Sequence, residues 1–286
     1  MTESKTVVIT GATRGIGNET AKAFLQSPNS YHIFLGARSL ASGDKAVAQL
    51  KLDCPSAANT IEVLLIDVES DQSIEKAVET VKSSRGTVDI LINNAGIQIL
   101  YLFFKEQQLI LKPPGAAYDW DAADGKVSLR ASFTKAYDTN VSGAHVVTWH
   151  FVPLLLPSPD PRILFIAGLS QLTSAATKDY FPSGPVAAGW PKAVPFETIG
   201  YRCSKTALSM LMLDWRWKLR EDGVRVFSVS PGFCVTGLGN QGDDKMAAMG
   251  AQRTAKQGAT TIISVAEGHR DGDIGQIIDE DGFVPW

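Results

Sequence analysis

The chain has 286 residues, of which 44% are hydrophobic and 20% are charged, a composition typical of a globular protein with one large core. Its net charge of −3, with no basic cluster interleaved with aromatic residues, argues against a nucleic-acid partner. Its apolar stretches fall short of the ~20 residues that span a membrane, and residues 1–5 lead straight into an apolar run, so we expect no signal peptide and a cytoplasmic location.

Apolar runs and helical patterns alternate along the chain. Strands are predicted near residues 6–10, 32–36, 61–66, 89–92, 162–166, 224–229 and 274–278. Helices are predicted near residues 15–26, 42–52, 71–83, 133–156, 201–221 and 257–267. This alternation indicates a single α/β domain over residues 1–286, with a doubly wound, mostly parallel sheet of about seven strands and helices on both faces. Ligands of such sheets bind at the carboxyl ends of the strands, so the residues that follow each strand are the candidates for a site.

The first strand ends in a glycine-rich loop that leads into a helix. Glycines allow a tight turn and let backbone amides approach a pyrophosphate, and the start of the helix adds partial positive charge. The spacing differs from the usual G-x-G-x-x-G, and an ordinary strand-to-helix turn is the alternative. Because the loop follows the first strand of the alternating pattern, we predict that a dinucleotide is bound by Gly11, Thr13, Arg14, Gly15, Ile16 and Gly17.

The ends of the second and third strands bear on the choice of dinucleotide. After the second strand, Arg38 stands near the position where an NAD enzyme places an acidic residue. Arg38 and Arg14 can hold a 2′-phosphate through charge-assisted hydrogen bonds, so NADP(H) is predicted, with a merely solvated arginine as the alternative. Asp67 and Val68 follow the third strand and are predicted to lie beside the adenine, although Asp67 could instead cap the next helix.

The fourth strand ends in small and polar residues. Asn93 and Asn94 are followed directly by Ala95 and Gly96. Small side chains let a backbone run close to a ligand. We therefore expect this segment to face the cofactor.

Tyr201 and Lys205 are four residues apart on a predicted helix, which places a phenol and an ammonium side by side. A phenol has an ordinary pKa of about 10, and a neighbouring positive charge favours its phenolate, so the pair can move a proton near neutral pH. Taken alone, the spacing also fits a packed tyrosine and a snorkelling lysine.

Four motifs occur in a fixed order along the chain, namely Gly11-x-x-x-Gly15-x-Gly17, Asn93-Asn94-Ala95-Gly96, Tyr201-x-x-x-Lys205 and Pro231-Gly232. With these motifs the chain resembles the short-chain dehydrogenase/reductase family over nearly its whole length. The motif style and the long loops resemble reductases of fungal secondary metabolism. The resemblance implies a Rossmann-type fold, a nicotinamide cofactor and hydride-transfer chemistry.

The resemblance also implies a role for each matching position. Tyr201 would be the general acid that protonates a carbonyl oxygen as hydride arrives from the nicotinamide. Lys205 would hydrogen-bond the nicotinamide ribose, and Asn140 would hold a water that links Lys205 to solvent. The further cofactor contacts that it implies are Asn94, Ala95, Gly96, Pro231, Gly232 and Thr236.

One position departs from the family pattern. The family usually carries a serine at the end of the fifth strand, where its hydroxyl donates to the substrate carbonyl oxygen. This chain has Ala167 and Gly168 there, and neither side chain is a donor. Ser170 follows two residues later, and it either replaces the missing hydroxyl or is an ordinary loop serine.

Long connections are expected to shape the substrate pocket. Residues 98–132 and 172–198 are longer than the usual connections of the family and contain several aromatic residues. They suit a hydrophobic or aromatic substrate, with a second packing surface or a subunit contact as the alternative. Residues 237–257 are expected to close over the cofactor and the substrate. Trp286 would close the core or reach a neighbouring subunit, so the sequence leaves a homo-oligomer open.

Cysteines and histidines do not indicate a metal site. Cys54, Cys203 and Cys234 are odd in number and widely separated, so we expect reduced, structural thiols and no disulfide framework. His145 and His150 share an apolar helical segment, but no carboxylate or thiol is spaced to complete a metal shell. No metal is therefore predicted.

Together these observations predict an NADPH-dependent reductase that transfers hydride to a ketone, or less readily an imine, of a hydrophobic or aromatic small molecule. Two alternatives from other classes stay open. A non-redox cyclase or isomerase on this scaffold would bind NADP(H) without consuming it, and a dinucleotide-sensing binding protein would function without Tyr201.

Overall fold

A sheet with helices on both faces forms the protein in the computed structural model, which describes residues 4–97, 102–103, 109–110, 129–168, 172–177, 187–189, 199–236 and 251–286. The strands are β1 (Lys5–Ile9), β2 (Tyr31–Ala37), β3 (Thr60–Leu65), β4 (Ile90–Asn93), β5 (Leu102–Phe103), β6 (Leu109–Ile110), β7 (Arg162–Ile166), β8 (Arg225–Val229), β9 (Cys234–Val235), β10 (Arg253–Thr254), β11 (Ile277–Ile278) and β12 (Phe283–Val284). The helices are α1 (Gly15–Gln26), α2 (Leu40–Asp53), α3 (Asp71–Arg85), α4 (Leu129–Tyr137), α5 (Ala144–Leu155), α6 (Leu172–Ala175), α7 (Ile199–Lys218) and α8 (Ala255–Ala266).

Eight strands pair in the order β12-β11-β8-β7-β4-β1-β2-β3. Seven of them run parallel, and β12 pairs antiparallel with β11 at the edge. This arrangement confirms the predicted α/β class and the mostly parallel sheet. The order reverses between β1 and β4, which is where ligands of such sheets bind.

The central strands are mostly apolar and fully buried because helices cover both faces of the sheet. All five residues of β7 and all four of β4 are buried. One core cluster packs α1, α2 and α8 on the first face, with Phe24, Leu50 and Ile262 among its members. The second packs α3, α5 and α7 on the other face, and Trp286 packs against it, so this tryptophan helps to close the core.

Two predicted elements differ from the structure. The helix expected near 133–156 begins at Leu129 and is interrupted by a π-helical segment, Asp138–Gly143. The strand expected near 274–278 contains only Ile277 and Ile278, because Gly275 before it has a φ of +86°, which does not fit a strand. Within the described residues, none of the helices is both long and apolar enough to cross a bilayer.

The backbone of β2 lies close to β1 at Gly36. A Cβ built on Gly36 would lie 2.6 Å from the carbonyl oxygen of Ile9 and 3.0 Å from the Cα of Thr10. The carbonyl of Gly36 accepts a hydrogen bond of 2.9 Å from the amide of Ala12, in the glycine-rich loop. Glycine at this position therefore lets the loop fold back over the end of β2.

Gly36→Ala is expected to lower the free energy of unfolding by about 1–3 kcal/mol, because the added Cβ meets backbone atoms of β1 that cannot rotate away. Urea denaturation of both proteins checks this value. Gly272→Ala is the matched control, since nothing lies within 4 Å of its Cβ position, and we expect a change within about 0.5 kcal/mol. Equal stability of the two variants would contradict the close packing at Gly36.

Candidate active site

The glycine-rich loop is packed against the end of β4. Gly11 has a φ of +62°, and a Cβ on it would lie 2.8 Å from the Cα of Ala95. A Cβ on Gly17 would lie 2.4 Å from the side-chain nitrogen of Asn94. That nitrogen donates to the carbonyls of Thr10 and Gly11 at 2.9 and 3.0 Å. The structure thus brings the first two predicted motifs into direct contact.

Thr10 connects the glycine-rich loop with the end of β4, and none of the four sequence motifs includes it. Its hydroxyl oxygen accepts hydrogen bonds from the amides of Asn94 and Ala95, at 3.1 and 3.0 Å. The signal in the sequence is a hydroxyl residue directly after an apolar strand, before the first glycine. Thr10 therefore fixes the position of the loop after β4 relative to β1.

The first turn of α1 fits a phosphate. Arg14 is the N-cap residue, yet its side chain does not cap the helix, and the first turn contains no acidic residue. The N-cap side chain thus leaves the first amides of α1 uncapped. Amides without a side-chain cap at a helix start can bind an anion. Gly15 has a φ of +59°, and its Cβ position lies 3.6 Å from the Cβ of Thr236. Thr236 therefore lies over the same loop.

Arg38 and Asp67 lie at the carboxyl ends of β2 and β3. Arg38 is exposed, and Ser39 begins α2 by accepting a hydrogen bond from the amide of Ser42. Asp67 accepts from the amide of Glu69 at 3.1 Å, within a turn. The N-cap of α3 is Ser70, so the alternative in which Asp67 caps that helix is wrong.

Val68 packs against the π-helical segment. A Cβ on Gly143 would lie 2.5 Å from the carbonyl oxygen of Val68, so only glycine permits this approach. The contact holds the loop after β3 against the segment that contains Asn140.

Lys205 is buried at the end of β7. Only 4% of its surface is exposed, and its Nζ donates a 2.7 Å hydrogen bond to the carbonyl of Ile166, the last residue of the strand. The same Nζ lies 5.6 Å from the centroid of the Tyr201 ring. The helical spacing thus produces the predicted neighbours, and the strand end fixes the position of the ammonium.

Burial lowers the pKa of Lys205 from its ordinary value of 10.5 to about 8. Within the described residues, burial is the one cause of this shift, and the Nζ bonds a backbone carbonyl and not a carboxylate. The ammonium thus lies beside the Tyr201 ring without a described acidic partner.

Asn140 is fully buried in the π-helical segment and bonds to two other parts of the site. Its Oδ1 accepts from the amide of Ile97 at 2.8 Å, and its Nδ2 donates to the carbonyl of Ile97 at 3.0 Å. The same Nδ2 donates to the Ser204 hydroxyl at 2.9 Å, and that hydroxyl donates to the carbonyl of Tyr201 at 2.7 Å. π-Helical turns are frequent at functional sites, which fits this position.

Gly96 and Ser204 complete this network. A Cβ on Gly96 would lie 3.1 Å from the Oδ1 of Asn140 and 3.4 Å from the Nζ of Lys205. Sequence reasoning included Gly96 but missed Ser204, although it directly precedes Lys205. The end of β4, the π-helical segment and the start of α7 therefore meet at one place.

The departure after β7 is visible in the backbone. Ala167 is buried, and its amide donates a 2.8 Å hydrogen bond to the carbonyl of Val229 in β8. Gly168 has a φ of +137°, a conformation that residues with a side chain rarely adopt. Neither residue supplies a hydroxyl, and Ser170 lies outside the described residues.

Several expectations fall wholly or mostly outside the described residues. These are the segments 98–132 and 172–198, of which short pieces are described, and residues 237–250 of the third segment, 237–257. The last part of that third segment forms β10, which pairs with β9 directly before Thr236.

The described residues include all three cysteines. The three cysteines are free, and burial raises the pKa of the Cys234 thiol despite the opposing charge of Arg253. In the described part of the chain, no group of three or more potential ligands could hold a metal ion.

Comparisons with known proteins agree with these motifs. A family model described as short chain dehydrogenase matches residues 5–181. Short-chain dehydrogenase/reductase tropE of Talaromyces stipitatus is 40% identical, over 99% of this chain and 98% of that protein. Short-chain dehydrogenase/reductase eupG of a Phoma species is 36% identical, over 92% of this chain and 90% of that protein. The NADPH-bound carbonyl reductase from chicken fatty liver has the same fold, with a TM-score of 0.71 and 20% identity, over 99% of this chain and 100% of that one.

The chain belongs to the short-chain dehydrogenase/reductase family. It is an oxidoreductase of that type, which uses a nicotinamide dinucleotide and acts on a small molecule. The family, the fold and the enzyme class predicted from the sequence are thereby confirmed. The roles of the individual site residues stay predictions.

The shifted pKa of Lys205 predicts a pH dependence of stability. Between about pH 8 and pH 10.5 the unfolded state binds more protons at Lys205 than the folded state does. The cost of burying its charge is therefore fully present below pH 8 and is relieved as the pH rises through this range.

The free energy of unfolding of the wild type, minus that of Lys205→Met, is expected to rise between about pH 8 and pH 10.5. Urea denaturation of both proteins across this range measures the difference. Subtracting the value of the variant removes the contribution of the other titrating groups. A difference that stays flat or falls with pH would contradict a buried lysine with a lowered pKa.

Proposed function

We propose that this chain is an NADPH-dependent reductase that transfers hydride to a ketone, or less readily an imine, of a hydrophobic or aromatic small molecule. The observation that carries the proposal is the Lys205 ammonium, buried on the Ile166 carbonyl and 5.6 Å from the centre of the Tyr201 ring. A cation fixed beside a phenol at the carboxyl edge of such a sheet is what proton transfer to a bound carbonyl needs.

The residues of the carboxyl edge fit a dinucleotide. The first turn of α1, which its N-cap residue does not cap, would hold the pyrophosphate, and the close contacts at Gly11 and Gly17 leave no room for a side chain at these two positions. Asp67 and Val68 would border the adenine, and Gly96 would let the nicotinamide ribose approach Lys205. The remaining proposed contacts are Thr13, Gly15, Ile16, Asn94, Ala95, Pro231, Gly232 and Thr236.

Arg38 supports NADPH over NADH. It is exposed directly after β2, at the start of α2, where the adenine ribose of a dinucleotide would lie. Its guanidinium would bond the 2′-phosphate together with Arg14, and no acidic residue stands at 37–39 to bind a free 2′-hydroxyl.

Tyr201, Lys205 and Asn140 would have separate roles in the proposed hydride transfer. The bound nicotinamide would supply hydride to the carbonyl carbon. Tyr201 would donate its phenolic proton to the carbonyl oxygen, and the Lys205 ammonium would stabilise the resulting phenolate. Asn140 holds the backbone at Ile97 and the hydroxyl of Ser204, so it keeps the segments on both sides of Lys205 in place.

Apolar side chains at this edge support a hydrophobic substrate. Leu172 on α6, Ile199 at the start of α7 and Phe233 after Gly232 are large hydrophobic residues that are exposed. They would line a pocket for an apolar or aromatic molecule, and the sequence of segments 98–132 and 172–198 contains further aromatic residues. Such a substrate is consistent with a place in fungal secondary metabolism. A cytoplasmic location and a homo-oligomeric state stay predictions from the sequence.

A second candidate rests on Gly168. Positions 167 and 168 carry no hydroxyl, although the family usually has a serine there that acts on the carbonyl oxygen, and one lost donor costs about 100-fold to 1,000-fold in rate. A non-redox cyclase or isomerase that retains NADP(H) carries out no hydride transfer, so this cost to hydride transfer would not apply to it. The two candidates differ in whether NADPH is consumed, which absorbance at 340 nm reports.

Tyr201→Phe is expected to lower kcat for NADPH oxidation with aryl ketones by about 100-fold to 10,000-fold, because it removes the proton donor. NADPH affinity, measured by fluorescence titration, is expected to stay within about twofold, since no cofactor contact is proposed for this hydroxyl. Tyr31→Phe is the control, because its hydroxyl bonds Glu267 away from the site. Full activity of Tyr201→Phe would refute the reductase.

Arg38→Ala is expected to weaken NADPH binding by about 10-fold to 100-fold, the worth of one or two charge-assisted hydrogen bonds, and to leave NADH binding nearly unchanged. Dissociation constants for both cofactors check the ratio. Lys51→Ala, which changes a lysine in the last turn of α2, is the matched control for loss of one positive charge. Equal weakening of both cofactors by Arg38→Ala would contradict the assignment.

A further inference from the structure

A serine directly after the neighbouring strand β8 lies next to the position where the hydroxyl is missing. β7 and β8 pair in parallel, with Ile166 opposite Val229, so the residues that follow each strand are neighbours. A Cβ built on Gly168 would have the Ser230 Oγ at 3.8 Å, and apart from Gly168 and its two chain neighbours no other described atom lies within 4 Å of that point. The space on this side of Gly168 is thus bordered by one hydroxyl.

The Ser230 backbone is fixed by the sheet. Its amide donates a 2.7 Å hydrogen bond to the carbonyl of Ile278 in β11, and the preceding carbonyl of Val229 accepts from Ala167. The residue is 6% exposed, and within the described part of the chain its hydroxyl forms no hydrogen bond. A hydroxyl that is held in place and has no partner can donate to a ligand without breaking a bond.

Location distinguishes Ser230 from Ser228, a serine within β8. Ser228 lies two residues earlier, within β8, and among the described residues its buried hydroxyl also has no hydrogen-bond partner. It is 0% exposed within the sheet, however, where no ligand can reach it. Ser230 lies beyond the end of β8, at the carboxyl edge where the ligand is proposed to bind.

The proton pair lies at the same strand end. The Lys205 Nζ is bound to the carbonyl of Ile166, two residues before Gly168, and Tyr201 lies one helical turn before Lys205. Gly168 thus has Lys205 near it on the side of α7 and Ser230 near it on the side of β8. A carbonyl oxygen that accepts the Tyr201 proton would lie close to this strand end.

We propose that the Ser230 hydroxyl donates a hydrogen bond to the substrate carbonyl oxygen, in the role that a hydroxyl at position 168 would otherwise have. The inference rests on the proposed reductase function. Ser230 keeps its proton throughout, because Tyr201 supplies the proton that ends on the product hydroxyl, and the hydride from NADPH ends on the carbon. Ser230 therefore stabilises the negative charge that develops on the oxygen during transfer.

The test compares Ser230→Val with Ser230→Thr, which have the same shape and differ in the hydroxyl. Ser230→Val is expected to lower kcat for aryl ketone reduction by about 100-fold, and Ser230→Thr by less than about 10-fold. NADPH affinity is expected to be equal in both, because the hydroxyl acts on the substrate. Ser228→Ala is the control for loss of a buried hydroxyl in this strand and is expected to leave kcat unchanged.

Ser230→Ala is a second variant without the hydroxyl, for the case in which valine prevents folding. Thermal melting with NADPH shows which variants are folded. Equal kcat in folded Ser230→Ala and wild type, while Tyr201→Phe is inactive, would overturn the role of Ser230 and leave the reductase standing. A wild type that consumes no NADPH with any ketone of the panel would overturn the proposed function and this inference together. Equal losses in the valine and threonine variants would also overturn it, since the effect would then be one of shape.

Discussion

One buried ammonium, that of Lys205, determines how the rest of the carboxyl edge is built. Burying a charge without a carboxylate is costly, and the lowered pKa of Lys205 reflects this cost. The carbonyl of Ile166 offsets part of it, because a strand end has a backbone oxygen that the sheet does not use. An acidic partner would hold the lysine more firmly but would neutralise the charge that the proposed proton transfer from Tyr201 requires. Under the proposed function, the site gives up some stability for catalysis.

Close backbone approaches bring the other groups to this lysine. Gly96 lies against both Lys205 and Asn140, Gly143 lies against Val68, and Gly17 lies against Asn94. A Cβ on any of these three glycines would lie 3.1 Å or less from another atom. The glycines thus determine how near the loops after β1, β3 and β4 come to one another. These loops are the ones proposed to surround the dinucleotide.

The sequence predicted the fold well because its signals are local. The buried parallel strands are continuous apolar runs, and the glycine loop and the Tyr201–Lys205 spacing lie within single segments. The π-helical turn at Asn140 and the Ile166 carbonyl under Lys205 depend on contacts between distant segments, so no pattern announced them. Ser230 was passed over for the same reason, since it lies 62 positions from Gly168 in the chain and becomes its neighbour only through the pairing of β7 with β8.

The central claim is that Tyr201 and Lys205 complete a hydride transfer, and the fate of a labelled hydride tests it most directly. The wild type would be incubated with aryl ketones and NADPH that carries two deuterium atoms at C4 of the nicotinamide. The masses of the products would be determined by mass spectrometry. We expect one deuterium on the carbinol carbon for each NADPH oxidised, with the hydroxyl proton coming from solvent through Tyr201. A product that forms without deuterium and without loss of NADPH would contradict the reductase and favour the non-redox reaction.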